Sequence, residues 1–498
     1  MGGGTIMKIN IKLDNDFATQ LKKLKENYGE DFLKLNGLDD SKLSFTDFID
    51  NFIDSDNVAN ASVDSNSNVN QKDIVTLLSE MAKPHRKLLA YNKIYYELKK
   101  IYGFKTANRI IEEMWNYSIY LHDFDSATFY PYCFAYDIKD IVEKGLFFIE
   151  DYNAQPAKHL DSFIQIIMEA IAYLSRRQSG ACGLPNLIPY LYYYWKKDCE
   201  SGYCANAETY KRQQIQALIY RLNQPWIRAD QTAFTNVSVF DHPYFEAIFG
   251  GSEFPDGTFM IDYEEEIIQF QKDFIDVVNE IRETNVFTFP VLTASLLYQN
   301  GKFVDEDFAR WACEASRKWN IFNFFTDSSV NSLSNCCRLK SSIEDLYFNS
   351  IGGTALKVGS VKVSTLNLAR LSYQAKSEDD FINRLEALEE DNLKLLHTVR
   401  HIISRNVEKG LLPTFSYGLI DFQHLYNTTG LNGVYECMKH FGHTYIDEYG
   451  NTIYRPEAYN LGQKLFDSIH SIIEEFSKDK DYKGNIEQVP KRCGHTME

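Results

Sequence analysis

Two adjacent cysteines are the residues of this sequence that most clearly suggest chemistry. Cys336 and Cys337 stand in the segment NSLSNCCRLKS, residues 331–341, and Arg338 follows them directly. Thiols in such a setting belong to a disulfide scaffold, a metal site or a radical enzyme. The chain of 498 residues contains nine cysteines, a low and odd number. A disulfide framework would need more thiols in an even number, so the sequence argues against it.

A zinc site requires paired cysteine or histidine ligands at short spacings. Cys199 and Cys204, with four residues between them, and the pair His440 and His443 come closest to such spacings. The two histidines are one residue too close together and a second cysteine pair is missing, so the sequence predicts no metal site. Free cysteine packs as a small apolar side chain, which makes a buried structural role the expectation for most thiols. The thiols in question are Cys199, Cys204, Cys313 and Cys437.

The two adjacent thiols are expected to differ in role. If residues 331–340 form a strand or the tip of one, neighbouring side chains point to opposite faces, and only one thiol can face a given cavity. A disulfide between neighbouring cysteines is strained by the Cβ separation that it requires. We therefore expect one reactive thiol, one auxiliary thiol, and a partner from elsewhere in the chain. The best candidate partner is Cys133, in the extended run FYPYCFAYD that follows His122 and Asp123.

The elements that must position these thiols alternate between long helices and short strands. Helical periodicity runs through residues 73–103, 106–123, 161–178, 209–225 and 263–283. Short runs rich in β-branched and aromatic residues lie at 232–240, 285–293, 322–327, 361–369 and 411–418. This alternation predicts an α/β fold whose strands are buried on both faces. The sequence contains neither a Walker-type phosphate loop nor a G-x-G-x-x-G motif, which argues against the common ATPase and Rossmann folds.

Composition and charge limit the partners of the chain. Hydrophobic residues make up 44% and charged residues 24%, which is normal for a folded soluble protein. The formal net charge of −17 disfavours binding to nucleic acid or to an anionic membrane surface. The sequence shows neither a signal peptide nor a long apolar run, so we expect no membrane-spanning helix. These features predict a cytoplasmic protein with reduced thiols.

Several ordered motifs resemble those of one enzyme family, the anaerobic, class III ribonucleotide reductases. The stretch NCCRL at 335–339, followed by GSVKVSTLNLAR at 359–370, is similar to the signature around the active-site cysteine of that family. The further motifs follow in the family's order, and the resemblance covers residues 60–490. They are AKPHRKLLAYNK (82–93), SIYLHDFD (118–125), YPYCFAYD (130–137), NQPWIRADQTAFTNVSVFD (223–241), FTFPV (287–291), YGLIDFQHLYNTTGLNGVYE (417–436) and NIEQVP (485–490).

The resemblance implies a ten-stranded α/β barrel of the glycyl-radical enzyme type, with a cysteine on a loop at its centre. It places the catalytic barrel at residues 61–484, after an N-terminal segment, 1–60, without a recognisable ATP cone, and before a truncated tail, 485–498. In such enzymes a thiyl radical removes the 3′ hydrogen of a ribonucleoside triphosphate, and the 2′ hydroxyl leaves as water. The radical cysteine directly precedes an arginine, which corresponds to Cys337. Cys133 matches the cysteine that donates hydrogen from the opposite face of the sugar.

The resemblance also implies residues that support the reaction. His122 is expected to deliver a proton to the leaving hydroxyl, although a helix-end histidine bonded to the backbone would explain it as well. Asn367 matches a family asparagine, and a strand-capping role explains it equally well. Formate-dependent members carry an asparagine where this chain has Ser360, and Cys336 replaces another residue of some relatives. The reductant is therefore either formate or a redoxin dithiol, and both departures favour the dithiol. The residues assigned to substrate binding are His122, Ser360, Asn367 and Arg338.

The end of the sequence departs from the family pattern. Relatives continue beyond the NIEQVP stretch into a zinc-binding cysteine cluster and a loop of the form R-V-C-G-Y, whose glycine stores the radical. Here the sequence ends at KRCGHTME, and Cys493 and Gly494 follow NIEQVP too soon to form that loop. We therefore expect a separate C-terminal fragment to supply the glycyl radical in trans. The zinc site of the family is expected to be missing from this chain.

The resemblance further implies a homodimer, a radical-SAM activase, and regulation by dNTP and ATP effectors. Two functions remain open. The first is the catalytic chain of an anaerobic ribonucleotide reductase, and the second is a catalytically silent paralogue that binds nucleotides or dimerises with an intact reductase. Retention of Cys133 and Cys337 favours the enzyme, because a silent barrel gains nothing from two thiols in a solvent-excluded centre. A different glycyl-radical enzyme, such as an acyltransferase, fits the LNLAR, NQPW and HRKLLAYNK motifs less well.

Overall fold

A computed structural model describes most of the chain. Its described residues are 12–54, 74–149, 152–224, 227, 232–330, 332–335, 339–342, 356–478, 480 and 482–488. The predictions made for Cys336, Cys337, Arg338 and Gly494 lie outside the described residues.

The helices follow the periodic patterns of the sequence over most of their length. They are α1 (Asn15–Leu35), α2 (Asp40–Leu43), α3 (Phe45–Asp54), α4 (Ile74–Glu80), α5 (Lys83–Tyr102), α6 (Phe104–Trp115), α7 (Lys139–Lys144), α8 (Leu160–Ser175), α9 (Leu187–Glu200), α10 (Ala207–Leu222), α11 (His242–Phe249), α12 (Glu264–Thr284), α13 (Glu306–Ser316), α14 (Leu368–Gln374), α15 (Glu378–Glu408), α16 (Pro413–Ser416), α17 (Val434–His440) and α18 (Pro456–Lys478). The patterns at 161–178, 209–225 and 263–283 correspond to α8, α10 and α12, and each helix begins and ends within a few residues of its predicted bounds.

The strands are short, and ten of them join one sheet. They are β1 (Ile119–Leu121), β2 (Cys133–Ala135), β3 (Cys182–Gly183), β4 (Thr235–Phe240), β5 (Val291–Gln299), β6 (Lys302–Phe303), β7 (Phe322–Asp327), β8 (Ser332–Asn335), β9 (Leu339–Ser342), β10 (Val358–Asn367), β11 (Leu425–Asn432), β12 (Thr444–Ile446), β13 (Thr452–Tyr454) and β14 (Gly484–Gln488). The order in the ten-stranded sheet is β14-β11-β10-β2-β3-β4-β5-β6, with β1 beside β10 and β7 beside β5.

Two parallel runs of strands meet at one antiparallel junction. The first run is β2, β3, β4, β5 and β7, and the second is β10, β11 and β14. β2 pairs antiparallel with β10, which joins the two runs. All of β4, and all of β10 except its last residue, are buried, as expected for strands that are covered on both faces. The ten-stranded α/β architecture therefore agrees with the predicted fold class.

The strands β8 and β9 form an antiparallel hairpin between the two runs. Asn335 of β8 is paired with Leu339 of β9, so in the sequence the two strands stand on either side of the two cysteines and Arg338. β8 contacts β5 and β7 of the first run, while β9 contacts β10 and β14 of the second run. The backbone on either side of the adjacent cysteines therefore touches both halves of the sheet.

Two stretches differ from their predicted class, and the strand predicted at 285–293 begins only at Val291. The helical pattern at 106–123 ends at Trp115, and Tyr117 adopts a positive φ of 58°, after which β1 pairs with β10. The predicted strand at 411–418 contains the short helix α16 instead. Pro413 is the first residue of that helix, where its missing N–H is tolerated, whereas a strand would need this donor.

The N-terminal helix α1 packs against the helices that precede the sheet. Phe17 contacts the rings of Tyr91 and Tyr95 on α5, with ring centroids 6.3 and 5.5 Å apart. Asn36, which follows α1, donates to the carbonyl oxygen of Trp115 at 3.0 Å and accepts from the hydroxyl of Tyr91 at 2.8 Å. These helices share the main hydrophobic core, and the domain boundary near residue 60 stays a prediction.

Candidate active site

Cys133 lies on β2 in surroundings of apolar side chains and backbone. The residue is 4% exposed and packs with Ala181, Phe234 and Phe289. Its Sγ accepts a hydrogen bond from the backbone N–H of Ala181 at 3.1 Å. Since β2 and β3 are parallel neighbours, the residues just before β3 lie against the start of β2. The structure therefore holds the Cys133 thiol away from solvent and in one place.

Two glycines leave no space beside Cys133. A Cβ added to Gly180 would lie 2.3 Å from the Cys133 sulfur and 3.0 Å from the carbonyl oxygen of Tyr132. A Cβ added to Gly359 would lie 2.2 Å from the carbonyl oxygen of Cys133. Favourable contacts between such atoms lie at about 3.5–4.0 Å, so a side chain at either position would displace the cysteine. Glycine here permits the close approach of neighbouring segments.

Ser360 stands opposite Cys133 at the junction between β10 and β2. The two residues are direct partners in the antiparallel register, and such partners point to the same face of a sheet. Ser360 is fully buried, and its Oγ donates to the carbonyl oxygen of Lys362 at 3.0 Å. The same Oγ lies 3.2 Å from the Oγ1 of Thr428 on β11. The fold thus brings two of the predicted site residues together.

His122 directly follows β1, along the same edge of β10. Its backbone N–H donates to the carbonyl oxygen of Val363 at 3.1 Å, and its Nε2 lies 2.8 Å from the hydroxyl oxygen of Thr365. The ring meets that of Tyr132 edge-on, with centroids 6.0 Å apart, and Tyr132 is the neighbour of Cys133 in sequence. The alternative view of His122 as a helix-end residue is wrong, because residues 119–121 form a strand.

Asn367 lies at the opposite end of β10 from Ser360. At a rise of about 3.3 Å per residue, the seven residue steps from Ser360 to Asn367 span about 23 Å along the strand. The Oδ1 of Asn367 accepts from the backbone N–H of Arg370 at 2.9 Å, and its Nδ2 lies 3.3 Å from the carbonyl oxygen of Tyr117. Its side chain therefore caps α14, and the structure does not bring it next to Cys133. Its assignment to substrate binding stays a prediction.

Lys362 is a site residue that was not predicted from the sequence. It is fully buried on β10, and its Nζ donates to the carbonyl oxygen of Asp123 at 3.3 Å and to the Oγ of Ser179 at 3.4 Å. Burial lowers the pKa of Lys362 to about 8, whereas Asp123, Asp125 and Cys133 act in the opposite direction. The available signal was a lysine inside the run VGSVKVSTLN, since lysine is almost never fully buried without a specific partner.

The expectation that the four remaining candidate thiols are buried is wrong for three of them. Cys437 is buried, but Cys199 and Cys204 are half-buried, and Cys313 is exposed. Cys313 lies beside the buried face of α13 and not on it. The sulfurs of Cys199 and Cys204 lie 3.5 Å apart, near the end of α9. Within the described ranges these cysteines are free, and no group of three acidic, histidine or cysteine side chains could hold a metal ion.

A comparison with protein families identifies the chain. The family described as anaerobic ribonucleoside-triphosphate reductase matches residues 81–492. The chain belongs to this family. The matched range of the reductase includes Cys133, the β8–β9 hairpin and β10. Among curated proteins, none matches the chain significantly.

Solved structures of similar proteins agree with the family assignment. An anaerobic ribonucleotide reductase from Thermotoga maritima, with dATP bound in the specificity site, is 33% identical and gives a TM-score of 0.86. That similarity covers 99% of this chain and 80% of the other. The same Thermotoga maritima enzyme in complex with dATP and CTP is 34% identical, with a TM-score of 0.86, and the coverage is 99% of this chain and 78% of the other. A further anaerobic ribonucleotide reductase is 34% identical over 100% of this chain and 77% of its own, with a TM-score of 0.86.

These similarities confirm the predicted fold class and the predicted enzyme class. The chain is the catalytic chain of an anaerobic ribonucleotide reductase, which is an oxidoreductase. In the part of the reductase that the structure describes, every helix is too short or too polar to cross a membrane.

Proposed function

We propose that this reductase reduces ribonucleoside triphosphates by thiyl-radical chemistry between Cys337 and Cys133. The Cys337 thiyl radical takes the 3′ hydrogen of the ribose, so an S–H bond forms as a C–H bond breaks. The 2′ hydroxyl is protonated and leaves as water, and Cys133 then supplies hydrogen to the 2′ carbon from the opposite face. Cys337 finally returns hydrogen to the 3′ carbon, which restores its thiyl radical. The observation that carries this proposal is the buried Cys133 thiol, directly opposite Ser360, with its sulfur held by the N–H of Ala181.

The position proposed for Cys337 is supported by the strands on either side of it. β8 contacts β5 and β7, and β9 contacts β10 and β14, so the hairpin lies between both halves of the sheet. Hydrogen transfer requires the reacting atoms to approach within about 3–3.5 Å in a site from which water is excluded. A cysteine carried by this hairpin could meet the sugar from the side opposite Cys133.

We extend the proposal to the nucleotides that the reductase binds. The Thermotoga maritima relative was solved with dATP and CTP, which supports ribonucleoside triphosphates as substrates here and dNTP and ATP as effectors. His122, which lies next to Tyr132, is the proposed proton donor to the leaving hydroxyl. Arg338, Ser360 and Asn367 complete the proposed substrate contacts.

We assign the reducing electrons to a dithiol. Each turnover consumes two electrons and two protons, which formate or a redoxin dithiol can supply. Ser360 stands where formate-dependent members have an asparagine, and its hydroxyl is already engaged by Lys362 and Thr428. A second thiol, Cys336, lies beside Cys337 in the sequence. Both features favour a redoxin, whose two thiols become a disulfide as the nucleotide is reduced.

We further propose that the reaction draws on a glycyl radical and that a radical-SAM activase generates this radical. The catalytic chain acts as a homodimer, as the family resemblance implies. Free thiols among the described residues support a reducing, cytoplasmic location.

The test is deoxynucleotide formation in an anaerobic mixture of this chain, a candidate glycyl-radical fragment, its activase and a redoxin. Cys133→Ala and Cys337→Ala are each expected to reduce product to background while the melting temperature shows that the fold is kept. Cys437→Ala removes a buried thiol of α17 and is the matched control, expected to turn over like the wild type.

Undiminished turnover by Cys337→Ala would end the radical assignment. If the wild type forms no product with any combination of partners, although ribonucleoside triphosphates raise its melting temperature, the chain is a silent nucleotide-binding paralogue instead.

A further inference from the structure

Lys362 places an amino group inside the sheet of the reductase. It is 0% exposed, and every residue of β10 except Asn367 is buried. Moving an ammonium from water into a protein interior costs several kcal/mol unless specific partners compensate it. The groups around Lys362 therefore indicate why this position carries a lysine.

These groups compensate the charge only in part. The Nζ donates to the carbonyl oxygen of Asp123 at 3.3 Å and to the Oγ of Ser179 at 3.4 Å, and lies 5.5 Å from the ring centre of Tyr132. The carboxylates of Asp123 and Asp125 attract the ammonium at longer range. Asp125 forms its ion pair with a side chain of α5, at 2.9 Å.

One short segment holds the Lys362 nitrogen and the Cys133 sulfur. Ser179 accepts a hydrogen bond from the Lys362 ammonium at 3.4 Å, and the N–H of Ala181 donates to the Cys133 sulfur at 3.1 Å. Gly180, between them, packs so closely that a Cβ would lie 2.3 Å from the sulfur. The two strands that carry the lysine and the cysteine, β10 and β2, are direct neighbours in the sheet.

We propose that Lys362 is the charge partner of Cys133 and that the two groups share one proton. In one form the thiol and the amine are both neutral. In the other form the proton has moved from sulfur to nitrogen, which leaves a thiolate beside an ammonium. The N–H of Ala181 and the ammonium both favour the thiolate. Lys362 is thus a positioning residue that acts through Cys133, and the reaction described above gives it no other role.

A thiolate at Cys133 suits a dithiol reductant, and in this respect the inference rests on the proposed function. Thiol–disulfide exchange proceeds through the thiolate. If turnover leaves Cys133 in a disulfide with a second thiol, the incoming redoxin thiolate attacks the sulfur of that second thiol, so that an S–S bond to the redoxin forms as the bond to Cys133 breaks. Cys133 then departs as a thiolate, and the ammonium of Lys362 offsets its charge.

The titratable groups that face the pair come from two segments, the turn after β1 and the residue before β2. Asp123 and Asp125 belong to the turn after β1, His122 directly follows β1, and Tyr132 directly precedes β2. The two carboxylates favour the charged ammonium but disfavour the thiolate. The buried ammonium of Lys362 opposes the two carboxylates, because it favours the thiolate form of Cys133.

The test measures the reactivity of Cys133 in the chain alone, without radical or reductant. Wild type, Lys362→Met and Lys362→Arg are alkylated with iodoacetamide between about pH 5 and about pH 10, and the Cys133 peptide is quantified by mass spectrometry. The control is Lys211→Met, because Lys211 is also buried, at 4% exposure, but forms ion pairs on α10 and α12. The exposed Cys313 serves as the reference thiol in every sample.

We expect wild-type Cys133 to have its reaction midpoint at a lower pH than Cys313. Lys362→Met should raise the Cys133 midpoint by at least about one pH unit, so that its rate at neutral pH falls about tenfold. Lys362→Arg should restore most of that rate, and Lys211→Met should leave it unchanged.

Equal Cys133 midpoints in the wild type and in folded Lys362→Met would overturn the pairing. If Lys362→Met does not fold, the wild-type measurement alone tests the pairing. A wild-type Cys133 midpoint at or above the pH of the Cys313 midpoint would overturn the pairing as well. Alkylation requires no turnover, so a failed reductase assay leaves its result intact. If the enzyme forms deoxynucleotides but its Cys133 midpoint is not below that of Cys313, the proposed role of Lys362 is wrong and the proposed function stands.

Discussion

Gly180 is the position where a single methyl group should most affect Cys133. A Cβ there would lie 2.3 Å from the Cys133 sulfur and 3.0 Å from the carbonyl oxygen of Tyr132. The backbone of Gly180 does not have a positive φ, so it can accommodate alanine without conformational strain. The effect of Gly180→Ala is therefore steric.

The magnitude follows from these distances. To regain a contact of about 3.5–4.0 Å, the sulfur must move by more than about 1 Å. Ala181, Phe234 and Phe289 surround the thiol, so the space must come from a changed rotamer or from separation of the neighbouring segments. Overpacking of this kind costs about 1–3 kcal/mol. A misplacement of about 1 Å at a reacting group lowers the rate about 100-fold.

We expect Gly180→Ala to lower the free energy of unfolding by about 1–3 kcal/mol and deoxynucleotide formation by about 100-fold. Urea unfolding followed by circular dichroism measures the first quantity, and anaerobic turnover measures the second. The matched control is Gly462→Ala in α18, where the nearest atom to a new Cβ is the Cε of Met438 at 3.9 Å. That variant should gain about 0.5–1 kcal/mol of stability, because alanine favours helix, and should keep its activity.

Wild-type turnover together with unchanged stability in Gly180→Ala would refute this account of the site. Wild-type turnover with reduced stability would show that the chemistry does not depend on where the Cys133 sulfur lies, and would count against its role as hydrogen donor.

Two further predictions concern stability. Burial raises the pKa of Glu389 to about 8, although Asn392 and Thr429 donate to its carboxylate oxygens at 2.9 and 2.8 Å. The folded state favours the protonated acid, so its stabilising contribution is complete below the ordinary pKa of 4.5 and is lost as the pH rises to about 8. In the wild type, the free energy of unfolding should therefore fall by about 3–5 kcal/mol over this pH interval, and Glu389→Gln should not show this fall. Urea unfolding at several pH values measures both proteins. The same pH dependence in both proteins would contradict the prediction. Asn367→Ala should cost about 1 kcal/mol in urea unfolding, because it removes the cap on the N–H of Arg370, whereas Asn367→Asp keeps the acceptor. A folded Asn367→Asp with normal activity would argue against the predicted substrate contact.

Much of the architecture can be predicted from the sequence because burial leaves a local pattern. Apolar residues that recur at the helical period locate α8 and α12 within a few residues, and buried β-branched runs locate β4 and β10. The same pattern fails at residues 119–121, where apolar residues continue the helical period but pairing with β10 makes a strand. Local periodicity cannot show a partner strand that is distant in the sequence.

The residues of the candidate site also divide into those that the sequence indicates and those that only the structure reveals. Cys133 and Ser360 could be singled out from motifs, and their direct pairing follows from the antiparallel junction between β2 and β10. Lys362 was not singled out although it lies inside the run VGSVKVSTLN of β10, because a lysine by itself predicts an exposed position. Its contacts with Asp123 and Ser179 join residues 239 and 183 positions apart in the sequence.

Composition and periodicity thus predict most of the elements and the faces that they bury, since both depend on neighbours within a turn or a strand. Which buried faces meet depends on pairing between segments that are hundreds of residues apart. That pairing alone brings the amino group of Lys362 to Ser179 and the thiol of Cys133 to Ala181, two residues further along the chain.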